Sequence, residues 1–317
     1  MEANTFATSA FIAVPTETAH AYLCRLQNLD EWTLGSRMVE QVDPDTWIGT
    51  ASGYQRTLYY HLRRLENARV RGVEWQSGYE YQKYFKSNPV LLFPPDYVER
   101  GSTEQGVYLH WVSVIDPMLR TPMIMQGIQT VHGSECRALK AALECQAGLT
   151  EATHGRYRIE ADTIYVNAQL DVAADFLGDL RTMPHWSHLL KPAGKIQPDH
   201  GTFLDEYRQT VEVTVGTSTL EDYRLIEHDY YLPDHDLMQR SPALLIPLAH
   251  AFGNPAVPGV LLHRMTFWQN GKRARHGKLN IEDFGAENMN IKRQLEAKAG
   301  NLDTFAKGKS YVPPASA

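Results

Sequence analysis

Apolar and polar positions change period several times along the chain. Ala19, Tyr22, Leu23 and Leu26 recur at i, i+3, i+4 and i+7, the spacing of one buried helix face. Pro15-Thr16-Glu17-Thr18 ahead of them supplies start signals, so a helix is expected over residues 16–26. A weakly alternating stretch at 8–14 precedes it as a first strand, and a short helical or turn segment at 28–34 carries Trp32. Between Glu40 and Tyr84 the period becomes two, with turn signals at Asp43-Pro44-Asp45, Ser52-Gly53 and Gly78. Leu58, Tyr60 and Leu62 share one side of a strand there; Val73, Trp75, Ser77, Tyr79 and Tyr81 share one side of another. Residues 107–115 form the most strongly β-prone stretch, 123–131 are expected as a last strand, and 134–147 as a closing helix stopped by Gly148. At the start of that helix, Ser134 is expected to serve as a cap, with no nucleophilic role.

The same order then repeats. Asn88 to His110 returns 153 residues later as Ser241 to His263, and Pro89, Leu91, Leu92, Pro94, Gly106, Val107, Leu109 and His110 recur without a gap as Pro242, Leu244, Leu245, Pro247, Gly259, Val260, Leu262 and His263. Eight identities in these 23 positions compare with roughly one or two from average residue usage. Outside this block the register persists with single-residue shifts: Ala19, Tyr22, Leu23, Leu26 and Trp32 fall on Ala173, Phe176, Leu177, Leu180 and Trp186. Glu74 falls on Glu227, while Glu135, Lys140 and Glu144 fall on Glu287, Lys292 and Glu296. A period this long is the size of a domain and not of a solenoid unit, so the chain reads as two tandem copies of one fold. The boundaries expected are 1–148 for the first domain, 149–161 for a polar linker, 162–303 for the second domain and 304–317 for a loose tail. In the second copy a strand is expected at 164–166, a helix at 171–180, the main strands within 203–268, a last strand at 276–283 and a closing helix at 287–299.

Composition narrows the function. The 317 residues suffice for two cores. A net charge of −6, from 31 basic and 37 acidic residues, argues against general nucleic-acid or anionic-membrane binding, either of which needs a basic face. No secretory signal and no run of about 18 apolar residues is present, so no membrane span is expected and a cytoplasmic location is the default. Cys24, Cys136 and Cys145 lack the Cys-x-x-Cys spacing and read as buried reduced thiols.

One strand, two short helices, a run of antiparallel strands and a long C-terminal helix resemble the START-like, or helix-grip, superfamily. The segments 26–32, Leu-Gln-Asn-Leu-Asp-Glu-Trp, and 180–186, Leu-Arg-Thr-Met-Pro-His-Trp, carry the local part of that resemblance. The fold class it implies is α+β, two tandem helix-grip domains, each a curved antiparallel sheet wrapped around a long C-terminal helix. Two such domains in about 310 residues also resemble the di-domain aromatase/cyclases of bacterial aromatic polyketide pathways.

Within such domains, strand parity sorts side chains between faces, and the greasier face is expected to line the cavity. That rule sends Leu261, His263, Met265 and Phe267 inward, and His110 with Tyr108, Val112 and Val114. It also sends inward His228 and its counterpart Trp75, and sets Tyr54, Arg56, Leu58 and Tyr60 against Tyr207, Gln209, Val211 and Val213. The candidate catalytic residues are therefore His263, His228, His110 and Arg56, because imidazole suits proton transfer and a buried guanidinium polarises a carbonyl. The candidate substrate-binding residues are Tyr54, Tyr60, Trp75, Tyr207, Gln209, Met265 and Phe267. A histidine on an apolar strand face is more often a hydrogen-bonded core residue than a catalyst, and Arg56 fits a structural ion pair equally well.

The function expected is a cyclase, aromatase or dehydratase acting without a cofactor on an apolar or aromatic oxygenated small molecule, delivered by an acyl carrier protein if it is polyketide-like. The alternatives are a carrier for a lipid or other hydrophobic ligand, and a chain in which one copy has lost its cavity and serves as a packing partner. His185-x-x-His188 and Asp234-His235-Asp236 offer metal-type spacings in only one copy, and no metal is expected. No glycine-rich phosphate loop or dinucleotide fingerprint occurs.

Overall fold

The computed structural model describes residues 4–51, 56–116, 122–151, 153–269 and 281–298. The first copy runs β1 (Asn4–Ile12), α1 (Thr16–Leu23), α2 (Leu29–Trp32), β2 (Arg37–Asp43), β3 (Thr46–Thr50), β4 (Leu58–Glu66), β5 (Arg71–Gly78), β6 (Lys86–Phe93), α3 (Pro95–Val98), β7 (Val107–Ile115) and α4 (Pro122–Gln146). The second runs β8 (Tyr157–Val166), α5 (Leu170–Leu177), a 3-10 turn at Leu180–His185, β9 (Lys191–Pro192), β10 (His200–Leu204), β11 (Thr210–Leu220), β12 (Tyr223–Leu232), β13 (Leu237–Pro247), α6 (Leu248–Ala251), β14 (Val260–Gln269) and α7 (Ile281–Lys298). Each copy is a seven-stranded antiparallel sheet, ordered β1-β7-β6-β5-β4-β3-β2 and β8-β14-β13-β12-β11-β10-β9, so the α+β tandem helix-grip fold is the one observed. None of the described helices is long and apolar enough to cross a membrane.

Three local expectations change. The stretch 123–131 is the first half of α4 and not a strand, because a short apolar run does not distinguish a strand from a buried helix segment. Ser134 therefore lies inside the helix and donates its hydroxyl back to the Thr130 carbonyl at 3.2 Å, so it caps nothing. In the second copy, 276–280 lie outside the described residues and 281–283 open α7. The three cysteines are free, with Cys136 buried, Cys24 half-buried and Cys145 exposed, against the expectation of burial for all three.

Each long helix closes over the concave face of its sheet. Leu139 and Leu143 of α4 pack into a core with Leu58, Leu62, Trp75, Val90 and Leu109, while Ile291 and Leu295 of α7 pack with Val211, Val213, Ile226, Leu245 and Leu262. The repeated Lys-x-x-x-Glu pair fixes both helices to the first strand of their copy. Lys140 donates to the Phe11 carbonyl at 2.6 Å and Glu144 accepts the Ala13 N–H at 2.9 Å; Lys292 donates to the Tyr165 carbonyl at 2.8 Å and Glu296 accepts the Asn167 N–H at 3.0 Å.

The two sheets meet back to back. Their convex faces share one buried cluster containing Leu91, Phe93, Tyr108, Val112 and Val114 from the first copy and Leu244, Ile246, Leu261, Met265 and Phe267 from the second. Phe93 meets Phe267 edge-on at 5.2 Å. Polar contacts ring this cluster: Arg63 joins Glu74 at 2.8 Å to Asp222 of the other copy at 2.7 Å, and Asn67 donates to Ser218 at 3.0 Å. Both faces of β7 are thus buried along its whole length, as expected of a strand covered on two sides.

Candidate active site

The back-to-back packing overturns part of the parity argument. His110, His263, Met265 and Phe267 point away from the helices and into the interface between the sheets. The greasier face of β7 and β14 is the one covered by the other domain, so hydrophobicity selected the wrong side. His110 Nδ1 meets the Ser9 hydroxyl and His263 Nδ1 the Thr163 hydroxyl, both at 2.7 Å, and the two Nε2 atoms meet at 2.8 Å. Both ring nitrogens of each histidine are occupied, and the pair acts as an interface core. A groove of about 640 Å³ between β1 and β8 has Ser9 and His110 on its floor. Of its charged groups, Lys140 is paired with Glu144 and Arg158 with Glu160, while His154 is an exposed part of its lining.

Other expectations divide. Arg56 is exposed and lies ahead of β4, so it faces no cavity. Tyr54 lies outside the described residues. Tyr207 is 51% exposed in the turn before β11, where Asp205 accepts the N–H groups of Tyr207 and Gln209; Gln209 is half-buried there, below the start of the strand. Neither lines the groove or the chamber of the first copy, and the alternation that begins at Val211 does not extend back through a turn. His228 does point inward, but it is a packed core residue: its Nε2 meets the Leu177 carbonyl at 3.1 Å, Trp186 covers it edge-on, and burial pushes it down to about 3. Tyr60 and Trp75 line a chamber, as expected.

That chamber lies between sheet, α2 and α4 of the first copy. It measures about 80 Å³, and its walls include Trp32, Trp75, Trp111, Tyr60, Lys86 and Glu135. This is room for a small molecule or the reactive end of a larger one, well below the roughly 300 Å³ of an ordinary ligand pocket. Trp32, Trp75 and Trp111 form an aromatic box with ring centres 5.5 to 5.9 Å apart. Tyr60 is anchored by its hydroxyl donating to the Thr50 carbonyl at 3.2 Å.

Glu135, on α4, is the acid of this chamber. It accepts the Leu34 N–H at 2.9 Å, and burial raises its carboxyl above the usual range. Lys86, at the start of β6, is a half-buried base whose ammonium form is disfavoured by burial. Behind Trp111, Ser113 donates to Asn88 Oδ1 and meets His132 Nε2 at 2.6 Å, and Asn88 donates to the Trp75 carbonyl at 2.9 Å. With Ser113 donating onward, the neutral ring of His132 carries its proton on Nε2. Its Nδ1 is buried without a partner, and burial followed by the Lys86 charge holds the ring at about 3.

The duplication makes the second copy a built-in comparison. Trp32, Trp75, Lys86, Trp111, His132 and Glu135 correspond to Trp186, His228, Gln239, Arg264, Phe284 and Glu287. Arg264, 2% exposed, donates twice to Glu287 at 3.0 Å and lies over the rings of Trp186 and Phe284. Glu287 also accepts the Ser187 hydroxyl at 2.6 Å. The guanidinium neutralises the acid from the position that Trp111 holds in the first copy. Strand parity does not single out Lys86, Trp111, His132 or Glu135; the signal available for Glu135 was its identity with Glu287 across the repeat. Among the described residues no group of three or more His, Cys, Asp or Glu is placed to hold a metal ion.

Comparison with known proteins gives likenesses of fold. The chain is similar to the di-domain ARO/CYC BexL from the BE-7585A biosynthetic pathway, at 12% identity over 92% of this chain and 98% of that one, with a TM-score of 0.34. It is similar to the di-domain ARO/CYC StfQ from the steffimycin pathway, at 10% over 93% and 99%, TM-score 0.32. Human StarD13, through its lipid transfer and protein localization domain, is similar at 13% over 44% of this chain and 76% of that one, TM-score 0.31. No curated protein matches. The family pattern described as a domain of unknown function, DUF8713, matches residues 1–152 and again 159–304, and the chain belongs to that family.

Proposed function

We propose that the protein is an enzyme of cyclase or dehydratase type whose chemistry takes place in the chamber of the first copy, on the carbonyl-bearing end of an apolar or aromatic metabolite. The contrast between equivalent glutamates carries the reading. Glu287 is neutralised by Arg264 at 3.0 Å, while Glu135 has no ion-pair partner among the described residues and opens onto a cavity. A buried, uncompensated carboxyl costs stability, and such groups collect at functional sites. Burial favours the acid form of Glu135, which donates a proton to a carbonyl or departing hydroxyl, and its conjugate base removes one from carbon. The three tryptophans hold a conjugated group by stacking and exclude water. A chamber of about 80 Å³ admits only the reacting end of a large substrate, which suits delivery on a carrier. The second copy then serves as the packing partner that buries the convex face of the first.

The test is native mass spectrometry of the full-length protein purified from its own host, followed by release and identification of bound small molecules. A single oxygenated aromatic species whose amount or structure changes in Glu135→Gln supports the reading. Mixed lipids unchanged by that substitution would replace it with the carrier.

A further inference from the structure

Lys86 sits in the chamber facing Glu135 without touching it. Among the described residues no carboxylate comes within ion-pair distance of its Nζ and no hydrogen-bond acceptor engages it. An amine paired with a carboxylate at contact distance is locked in its charged form. Here the amine and the acid belong to two residues that line one chamber of about 80 Å³, space for a small carbonyl group. The second copy has Gln239 at the equivalent place, its amide donating to Thr266 at 2.8 Å, so the arrangement belongs to the first copy only.

We propose that Lys86 is a nucleophile that forms an imine with an aldehyde or ketone carbonyl of the substrate. This deepens the reading of the chamber as an active site and rests on it. The amine lone pair attacks the carbonyl carbon, the carbonyl oxygen takes a proton from the Glu135 carboxylic acid, and the carboxylate recovers one from the new nitrogen centre. Glu135 then protonates the hydroxyl of the carbinolamine, which leaves as water while the nitrogen lone pair closes the C=N bond. The sum is a neutral amine, a carbonyl and a carboxylic acid going to an iminium, a carboxylate and water. The iminium acidifies the adjacent carbon, and the Glu135 carboxylate is placed to take that proton, the step that dehydration and ring closure both need. Burial supports the assignment from the other side: it lowers the Lys86 amine and raises the Glu135 carboxyl, so both lean to their neutral, reactive forms.

The experiment uses the full-length wild-type protein with acetaldehyde as probe and borohydride as trap near neutral pH, with labelled lysines located by peptide mass spectrometry. Lys83, three residues away with a side chain 73% exposed, is the internal reference. The expected result is reductive alkylation of Lys86 at least ~10-fold faster than Lys83, since each unit of lowered pKa raises the free-amine fraction about tenfold. Loss of that preference in denaturant and a slower rate in Glu135→Gln are also expected. Labelling of Lys86 no faster than Lys83 overturns the imine. The two readings fail separately: if Lys86 is not labelled but the bound species still changes in Glu135→Gln, the imine falls and the chamber stands. If Glu135→Gln changes nothing bound, the chamber reading falls, and the imine assignment with it.

Discussion

The Nε2 atoms of His110 and His263 lie 2.8 Å apart at the centre of the interface between the two copies. The two residues are equivalent by duplication, yet they cannot be chemically identical at one moment. A hydrogen bond between two neutral imidazoles needs a proton on one Nε2 and a lone pair on the other, so one ring carries its proton on Nε2 and the other on Nδ1. The flanking hydroxyls adjust to either case, because Ser9 and Thr163 can donate or accept. A symmetric sequence feature is resolved into an asymmetric proton arrangement.

This pair sets a pH dependence. Burial, with the His263 charge second, holds His110 well below its ordinary value, and burial pushes His263 down to about 4. In the unfolded chain both return to about 6.5. Above that pH neither state binds the protons and the pair adds no slope. As pH falls from about 6.5 toward 4, the unfolded chain takes up protons that the folded one refuses, so stability is lost. Over the step from about pH 6.5 to 5 each histidine removes on the order of 2 kcal/mol. Thermal melts of the His110→Leu, His263→Leu double variant are therefore expected to show a shallower fall in Tm over this window than the wild type, with His132 and His228 retaining part of the slope. Equal slopes would contradict a neutral buried pair.

Equivalent glutamates should respond to the same substitution with different outcomes. Glu287→Leu strands Arg264, 2% exposed, among apolar rings, and removing one member of a buried pair costs about 3–5 kcal/mol. Glu135→Leu removes an uncompensated acid and forfeits only the bond from Leu34, for a change within about 1 kcal/mol. Urea denaturation of the two variants measures both; similar losses would mean that Glu135 has a partner as strong as Arg264.

The duplication, element order and closing helices were legible because they rest on periodicity and identity, which packing only reinforces. The orientation of β7 was not. Tyr108, Val112 and Val114 form a greasy face against the second domain, while Leu109 and Trp111 form another against α4, and nothing in a strand buried on both sides says which neighbour is which. The first half of α4 was misread for a related reason, since a short apolar run has no length to reveal its period. Glu135 is the instructive miss. A lone acid on a helix face reads as solvated, and only the partner at Glu287, with Arg264 replacing Trp111, gives it meaning.

Two glycines shared by the copies should be equally intolerant of a side chain. Gly106 has φ +144° and Gly259 φ +85°, and a Cβ would meet the Ile12 carbonyl at 2.8 Å in one and the Val166 carbonyl at 2.7 Å in the other. Both obstacles are strand backbone, which cannot swing aside. Gly106→Ala and Gly259→Ala are each expected to cost about 2 kcal/mol or more, read as a drop in Tm. A neutral result at either would remove close packing as the reason for their identity.

The most direct comparison transplants the second copy's solution into the first. In Trp111→Arg with His132→Phe, the new guanidinium occupies the place of Arg264, over a phenyl ring and within reach of Glu135, as Arg264 lies over Phe284 and reaches Glu287. The pair so formed neutralises the acid and puts a charged group in the chamber wall in place of the Trp111 ring. The cost of burying a charge is offset by a partner already waiting, so the fold should persist, with a Tm close to that of the wild type. Bound metabolite and any labelling of Lys86 should both fall sharply, because an aromatic wall and the proton donor are lost together. A variant that folds and retains its ligand would place the site elsewhere, with the groove between β1 and β8 next in line; one that folds and loses it ties the chemistry to the chamber of the first copy.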